Sequence, residues 1–283
     1  MTKFKLIDFA KKNINSLDWD GLSENTNAID LLENNTDKIY WDSLSLNYNA
    51  IHILETYPDK INWDLLSRNK NAIQLLERNM NKINWSELSK NKNAIHLLEK
   101  NTNKINWDNL SLNSNAIHLL EKNLDKVYWS WLSLNPNAIH LLEKNMDKIS
   151  WECLSSNVNA IHILEKNLDK VKWGKISMNI NAIGIIKKNL NKISWNYLSL
   201  NKNAMPILEK YPDKINWNLL LKNSNATHLF EKHFNLFYDD IDWYDFSCNN
   251  GIFKIDYVFY KNRCNIYKKE LIAKCLSSKN NIC

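Results

Sequence analysis

Glycine and proline are scarce in this chain, with four of each in 283 residues. So little glycine leaves no phosphate-cradling loop, and no nucleophile, base and orienting group fall into a recognisable set. The five cysteines, Cys153, Cys248, Cys264, Cys275 and Cys283, are odd in number and contain no Cys-x-x-Cys pair. That pattern indicates neither a disulfide framework nor a zinc site, and a reducing, intracellular compartment suits it. No apolar run approaches the ~18 residues of a spanning helix, and Met1 to Lys12 carry no signal-peptide pattern, so neither membrane insertion nor secretion is expected. An enzyme, a cofactor and a metal centre all fall outside what these residues suggest.

The net charge of +6 would suit a nucleic-acid partner if it were spread along one face. It is not spread. Asn250 to Cys283 hold seven Lys or Arg against Asp256 and Glu270, whereas Trp19 to Asn249 carry 26 basic and 27 acidic residues. Nucleic-acid binding is therefore reduced to a minor possibility for the basic C-terminus.

What is present in abundance is repetition. Trp19, Trp41, Trp63, Trp85, Trp107, Trp129, Trp151, Trp173, Trp195 and Trp217 stand 22 residues apart. A period carried through most of a chain implies a one-dimensional array in which each unit leans on its neighbours. Each unit holds two helical signals. The first, Asn135 to Lys144, has an apolar face of Ile139, Leu141 and Leu142 after Ala138; Pro136 marks its first turn and makes Asn135 the expected N-cap. Asn145 and its equivalents follow the last turn, where a left-handed Asn commonly closes a helix. The second, shorter signal places Trp63 and Leu66 one turn apart behind a capping Asn62, with Asn84, Asn106, Ser150, Ser194, Asn216, Asp18 and Asp242 in the same role; Tyr40, Tyr128 and Lys172 break the rule.

The expected fold is all-α: an α-solenoid of about eleven helix-turn-helix repeats, forming a rod or superhelix on the order of 100 Å long if neighbouring helices lie ~8–10 Å apart. A leucine-rich repeat has a compatible period, but its Leu-x-x-Leu-x-Leu strand signature is missing. Residues 1–18 read as a degenerate N-terminal capping repeat, residues 19–249 as the array, and residues 250–283 as C-terminal capping helices with a basic surface. From Trp217 to Trp243 the spacing widens to 26 residues, with His233 to Asp240 filling the insertion. Gly184 and Pro206 should weaken their helices by ~1 and ~3 kcal/mol and bend the array there. Trp107→Ala should cost ~3–5 kcal/mol, as for other large core truncations.

Three repeated columns invite a chemical reading. His52, His96, His118, His140, His162 and His228 share one helix position, but stacked helices ~8–10 Å apart separate them too far for one metal ion. The Glu column, Glu33 to Glu231, reads as neutralised by the Lys column, Lys38 to Lys214, on a solvated edge. The second Asn column, Asn27 to Asn225, reads as a polar ladder satisfying backbone groups between units.

Function, where the array carries it, belongs in the columns that differ from unit to unit. The column two after Trp includes Trp131 and Tyr197, and the columns flanking the capping Asn include Leu134, Val158, Met178, Ile180 and Leu200. These seven form a candidate apolar partner-binding patch across units six to nine.

The run Asn-Ala-Ile-His-Leu-Leu-Glu-Lys-Asn-x-Asp-Lys-Ile-x-Trp-x-x-Leu-Ser-x-Asn resembles the short tandem-repeat proteins of mimivirus-like giant DNA viruses, over roughly Asn25 to Asn249. Gly184, Lys187 and Pro206 depart from it. The resemblance implies a viral protein in infected-cell cytoplasm or in particles, and no catalytic residues. A non-enzymatic scaffold for a host or viral protein partner is the expectation, with self-association into a particle or filament layer as the alternative.

Overall fold

The computed structural model describes residues 3–233 and 241–256. It is an all-α repeat solenoid, with a single two-stranded sheet among the described residues. Each repeat contributes a helix that starts at its tryptophan, such as Trp63–Arg68, and a second helix, such as Ile73–Glu77. In repeats 1 to 9 both are four to six residues long, so the expected long and short partners are in fact equals. Helices this short are unstable alone. They are held by burial of Ala72, Leu66 and Leu76 and their equivalents, which are fully inaccessible to solvent in repeat after repeat.

Tryptophan is less buried than its regularity suggested. Trp107 and its equivalents only pack against the core from its edge, while Leu110 and Leu120 lie inside it. The larger truncation cost thus moves from the ring to the leucines. Leu110→Ala should lose ~2–5 kcal/mol, and Trp107→Ala about half of the ~3–5 kcal/mol of a buried ring, measurable by chemical denaturation.

Asparagine and serine, rather than chain geometry, join the repeats. Asn135 is not the N-cap of the second helix, which begins three to four residues later with Ala138 at its boundary. Its Oδ1 accepts the Asn137 N–H within the turn, and its Nδ2 donates to the Ser111 and Asn113 carbonyls of the preceding repeat. Asn137 Nδ2 in turn reaches the Ser114 carbonyl, the inter-repeat ladder expected of the second Asn column. Ser133, fully buried, donates to Trp129 O and accepts the Ser150 N–H of the next repeat. The residue closing the second helix also differs from expectation. Asn145 has φ −136° rather than a left-handed backbone, and its Nδ2 donates to Leu141 O, so the side chain does the capping. The caps expected before Trp are present where Asn, Ser or Asp stands, as in Asn106 Oδ1 accepting from Asn109 N at 2.9 Å. Tyr40, Tyr128 and Lys172 make no such bond.

The array does not end; it closes. The Trp helix of repeat 11, Trp243–Cys248, packs on that of repeat 1, Trp19–Glu24. Asn25 Nδ2 donates to Ser247 O at 2.8 Å, and Asp18 N to Ser247 Oγ at 2.9 Å, the same bonds that Asn47 and Tyr40 make to Ser23. The described part of the expected N-terminal cap, residues 3–18, is therefore not an end cap. The helix Asp8–Lys12 buries Phe9 and Ala10 and takes the place of the second helix of repeat 11, whose Trp helix comes from the other end of the chain. A strand Phe4–Leu6 (β1) pairs antiparallel with Phe253–Ile255 (β2), and Ile7 N donates to Ile252 O, which joins the two halves of the split repeat. Ile252 and Ile255, expected in a capping helix, lie in a short 3-10 turn and in β2; the rest of that expected helical region, and residues 234–240 of the insertion, lie outside the described residues.

Among the described residues the result is a ring of eleven repeats instead of a rod. Successive Trp helices approach more closely than successive second helices, and on a closed ring the closer-spaced set has the smaller radius. The Trp helices thus line the inside. At ~8–10 Å per step, eleven steps give an inner circle about 30 Å across between helix axes.

One glycine sits at the closure and another where repeat 11 meets repeat 10. A Cβ on Gly21 would lie 2.7 Å from the Tyr244 carbonyl oxygen and 3.0 Å from Ser247 Cβ. One on Gly251 would meet Thr227 Cγ2 at 2.9 Å. Gly184 has open space around it, and Pro206 occupies the first turn of Met205–Leu208, where its missing N–H is tolerated. Neither residue breaks its helix, so the large penalty expected for Pro206 does not apply.

Candidate functional site

The repeated polar columns are consumed by structure. His52, His96, His118, His140, His162 and His228 each place Nε2 2.6–2.9 Å from the carboxylate of the preceding repeat, on Glu33, Glu77, Glu99, Glu121, Glu143 and Glu209. Where Gln74 replaces His, Arg78 reaches Glu55 instead. Glutamate is therefore bridged by histidine along the outside of the ring, in place of the expected lysine. Lysine goes elsewhere: Lys38, Lys82, Lys104, Lys126, Lys148, Lys170 and Lys192 lie 4.5–5.2 Å above the Trp ring of their own repeat. Tyr57 and Tyr211 cover Trp41 and Trp195 in the two repeats that carry Tyr-Pro. Among the described residues no group of three His, Cys, Asp or Glu is placed to hold a metal ion.

The variable columns lie on the Trp helices and the turns that follow them, hence toward the inside. Trp131 and Leu134 line one cavity of ≈ 310 Å³ with Cys153 and Lys175, and Tyr128 meets the Trp131 ring edge-on at 5.3 Å. Met178 and Leu200 continue the Leu134 column and are half-buried. Tyr197 is exposed, and its ring lies against Gly174 of the preceding repeat. Val158 and Ile180 sit in the turn, their carbonyls accepting from Asn181 and Asn203, with Ile180 exposed and Val158 half-buried. None of the seven belongs to the buried core.

The same columns carry a second feature. Glu24, Leu46, Tyr48, Arg68, Lys70, Lys90, Lys92 and Leu112 line a cavity of ≈ 560 Å³ that spans five consecutive repeats, which only a concave surface permits. Arg68 and Lys90 stand in the column of Leu134 and Met178, and Tyr48, Lys70 and Lys92 in that of Val158 and Ile180. The signal was the change from basic to apolar along a column, visible only once the column is known to face inward.

At the closure, Tyr244 Oη lies 3.3 Å from Glu24 Oε2, and the Cys248 thiol is pushed up to about 12 by burial, with the Glu24 carboxylate adding to the effect. That thiol is a poor nucleophile. Comparison with protein-family models, curated proteins and solved structures finds no match.

Proposed function

We propose that the ring is a non-enzymatic scaffold that holds a protein partner against its inner wall through the apolar sector of repeats 6 to 9. The observation that carries this reading is the division of labour among columns. Asn, Ser, Leu and Ala positions are spent on joining repeats, whereas the inward positions change identity and place Trp131 beside Leu134 in a shared cavity. Aromatic and long aliphatic side chains concentrated in one sector are what a protein partner uses as anchors. Closure also favours partner binding over end-to-end assembly, because among the described residues the Trp helices of repeats 1 and 11 cover one another. The resemblance of the repeat consensus to giant-virus tandem repeats suggests a host or viral protein as the partner. Affinity capture from expressing cells, comparing the native chain with Trp131→Glu and Met178→Glu together, tests the reading: partners should be lost while the melting temperature is kept. Retention of every partner by the double variant would refute it.

A further inference from the structure

We infer that the cavity over repeats 1 to 5 is a docking site for an acidic peptide segment that carries apolar side chains beside its carboxylates, a specific form of the scaffold reading above. Arg68, Lys70 and Lys92 are exposed on the cavity wall with Lys90 half-buried between them. They come from two positions in successive repeats, so the positive charge is confined to a short stretch. Lys70 is held in place by the Tyr48 ring, 3.6 Å from its Nζ, and Lys90 by Glu87 at 2.8 Å. A volume of ≈ 560 Å³ accommodates a few side chains. Leu46 and Leu112 bound the charge on either side, and the column of Arg68 and Lys90 runs on through Leu112 to Leu134.

This layout matches a peptide better than a nucleic-acid strand. A phosphate backbone carries charge at every step and needs a continuous basic track. Here Asp42, Asp64 and Asp108 are exposed on the same Trp helices and Glu24 stands at the cavity, so a long polyanion would pass fixed negative charge along most of its path. A peptide with clustered carboxylates next to leucine or aromatic residues places each group opposite its complement.

The test is to select a random peptide library displayed on phage against the immobilised full chain, with a random single-stranded oligonucleotide pool in parallel. Enriched peptides should be net acidic and contain apolar residues. Their affinity should fall at least about tenfold between ~0.05 and ~0.5 M salt, and by a similar factor in Arg68→Glu with Lys92→Glu, two exposed changes that circular dichroism should show to fold normally. Neutral or basic winners, acidic winners indifferent to the double change, or tight oligonucleotide binding without peptide binding would each overturn the inference. Neutral apolar peptides that depend on Trp131 would overturn it yet leave the scaffold reading standing. Enrichment of no peptide at all would sink both.

Discussion

The junction between repeats 5 and 6 and the junction between repeats 11 and 1 are made by the same side chains on different chain connectivity. At the first, Asn135 and Ser111 tie consecutive repeats and the backbone runs straight through. At the second, Asn25 and Ser247 make equivalent bonds between residues more than 220 positions apart, and β1 with β2 substitutes for the missing peptide link. Continuity of the backbone is therefore not what defines a repeat here. A Trp helix and a second helix form a unit whenever the ladder of Asn and Ser can close around them. What distinguishes the closure is its tightness: Gly21 is buried with no room for a Cβ, where other repeats place Ser43, Leu65 or Trp131.

Removing Met1–Leu17 should produce the largest effect, because it strips repeat 11 of its second helix and leaves interior junctions untouched. Leu6, Phe9 and Leu17 are buried, and each forfeits ~1.5–3 kcal/mol of burial. Small-angle scattering should show the ring opening to a larger radius of gyration, and the synthetic segment supplied separately should restore it. An unchanged scattering profile would mean that closure contributes little to the shape.

Glycine substitutions sharpen the contrast with opposite signs. Gly21→Ala forces a methyl group against the Tyr244 carbonyl and Ser247 and should cost ~1–3 kcal/mol as overpacking does. Gly184→Ala meets nothing within 4 Å in the helix Ile183–Lys188 and should stabilise by up to ~1 kcal/mol. Urea denaturation of the two variants measures both; a shared sign would show that the closure is no tighter than an interior junction.

The closure should also be sensitive to alkali. The thiol of Cys248 is raised to about 12 in the folded ring, chiefly by burial and then by Glu24, against an ordinary thiol near ~8.5. A raised pKa means that the folded state holds the proton more tightly. Its contribution is complete below the unfolded value and is lost as pH climbs from there toward 12. Iodoacetamide at mildly alkaline pH should label Cys248 far more slowly in the native ring than in urea, and equal rates would contradict the thiol's environment.

Much of the interior was legible in the sequence because it rests on local pattern: the period, the capping residue before Trp, and the second Asn column are all set within one repeat or between neighbours. Closure was not legible that way, since it depends on the small rotation per repeat summing to a full turn. A trace was nevertheless present. Residues Leu6 to Leu17 copy the second half of a repeat with no Trp helix before them, and Trp243 to Asn249 supply a Trp helix whose second half fades. Two complementary halves at opposite ends are the mark of a split repeat. The seven apolar candidates stand out because their columns vary, whereas the basic residues of the same columns are hidden in the near-neutral total of the array, 26 basic against 27 acidic residues from Trp19 to Asn249. The Glu–Lys pairing failed for a geometric reason. Lysine lies within reach of its own Trp ring, while the carboxylate faces the histidine of the following repeat.

Those histidine bridges make the smallest difference between the two kinds of junction, because their exposure weakens them. His140 and Glu121 are separated by 2.6 Å, yet their side chains are 47% and 44% accessible. A polar bridge so wet gains little over its hydrated parts, at most ~0–1 kcal/mol. At the closure the position of His is taken by Asp30 in repeat 1, which bonds Lys3 instead, so the bridge is not needed for the ring to form. His140→Ala should therefore shift the denaturation midpoint by no more than about 0.5 kcal/mol, indifferent to added salt beyond that amount. A loss comparable with that of Gly21→Ala would show instead that the outer bridges couple cooperatively around the ring.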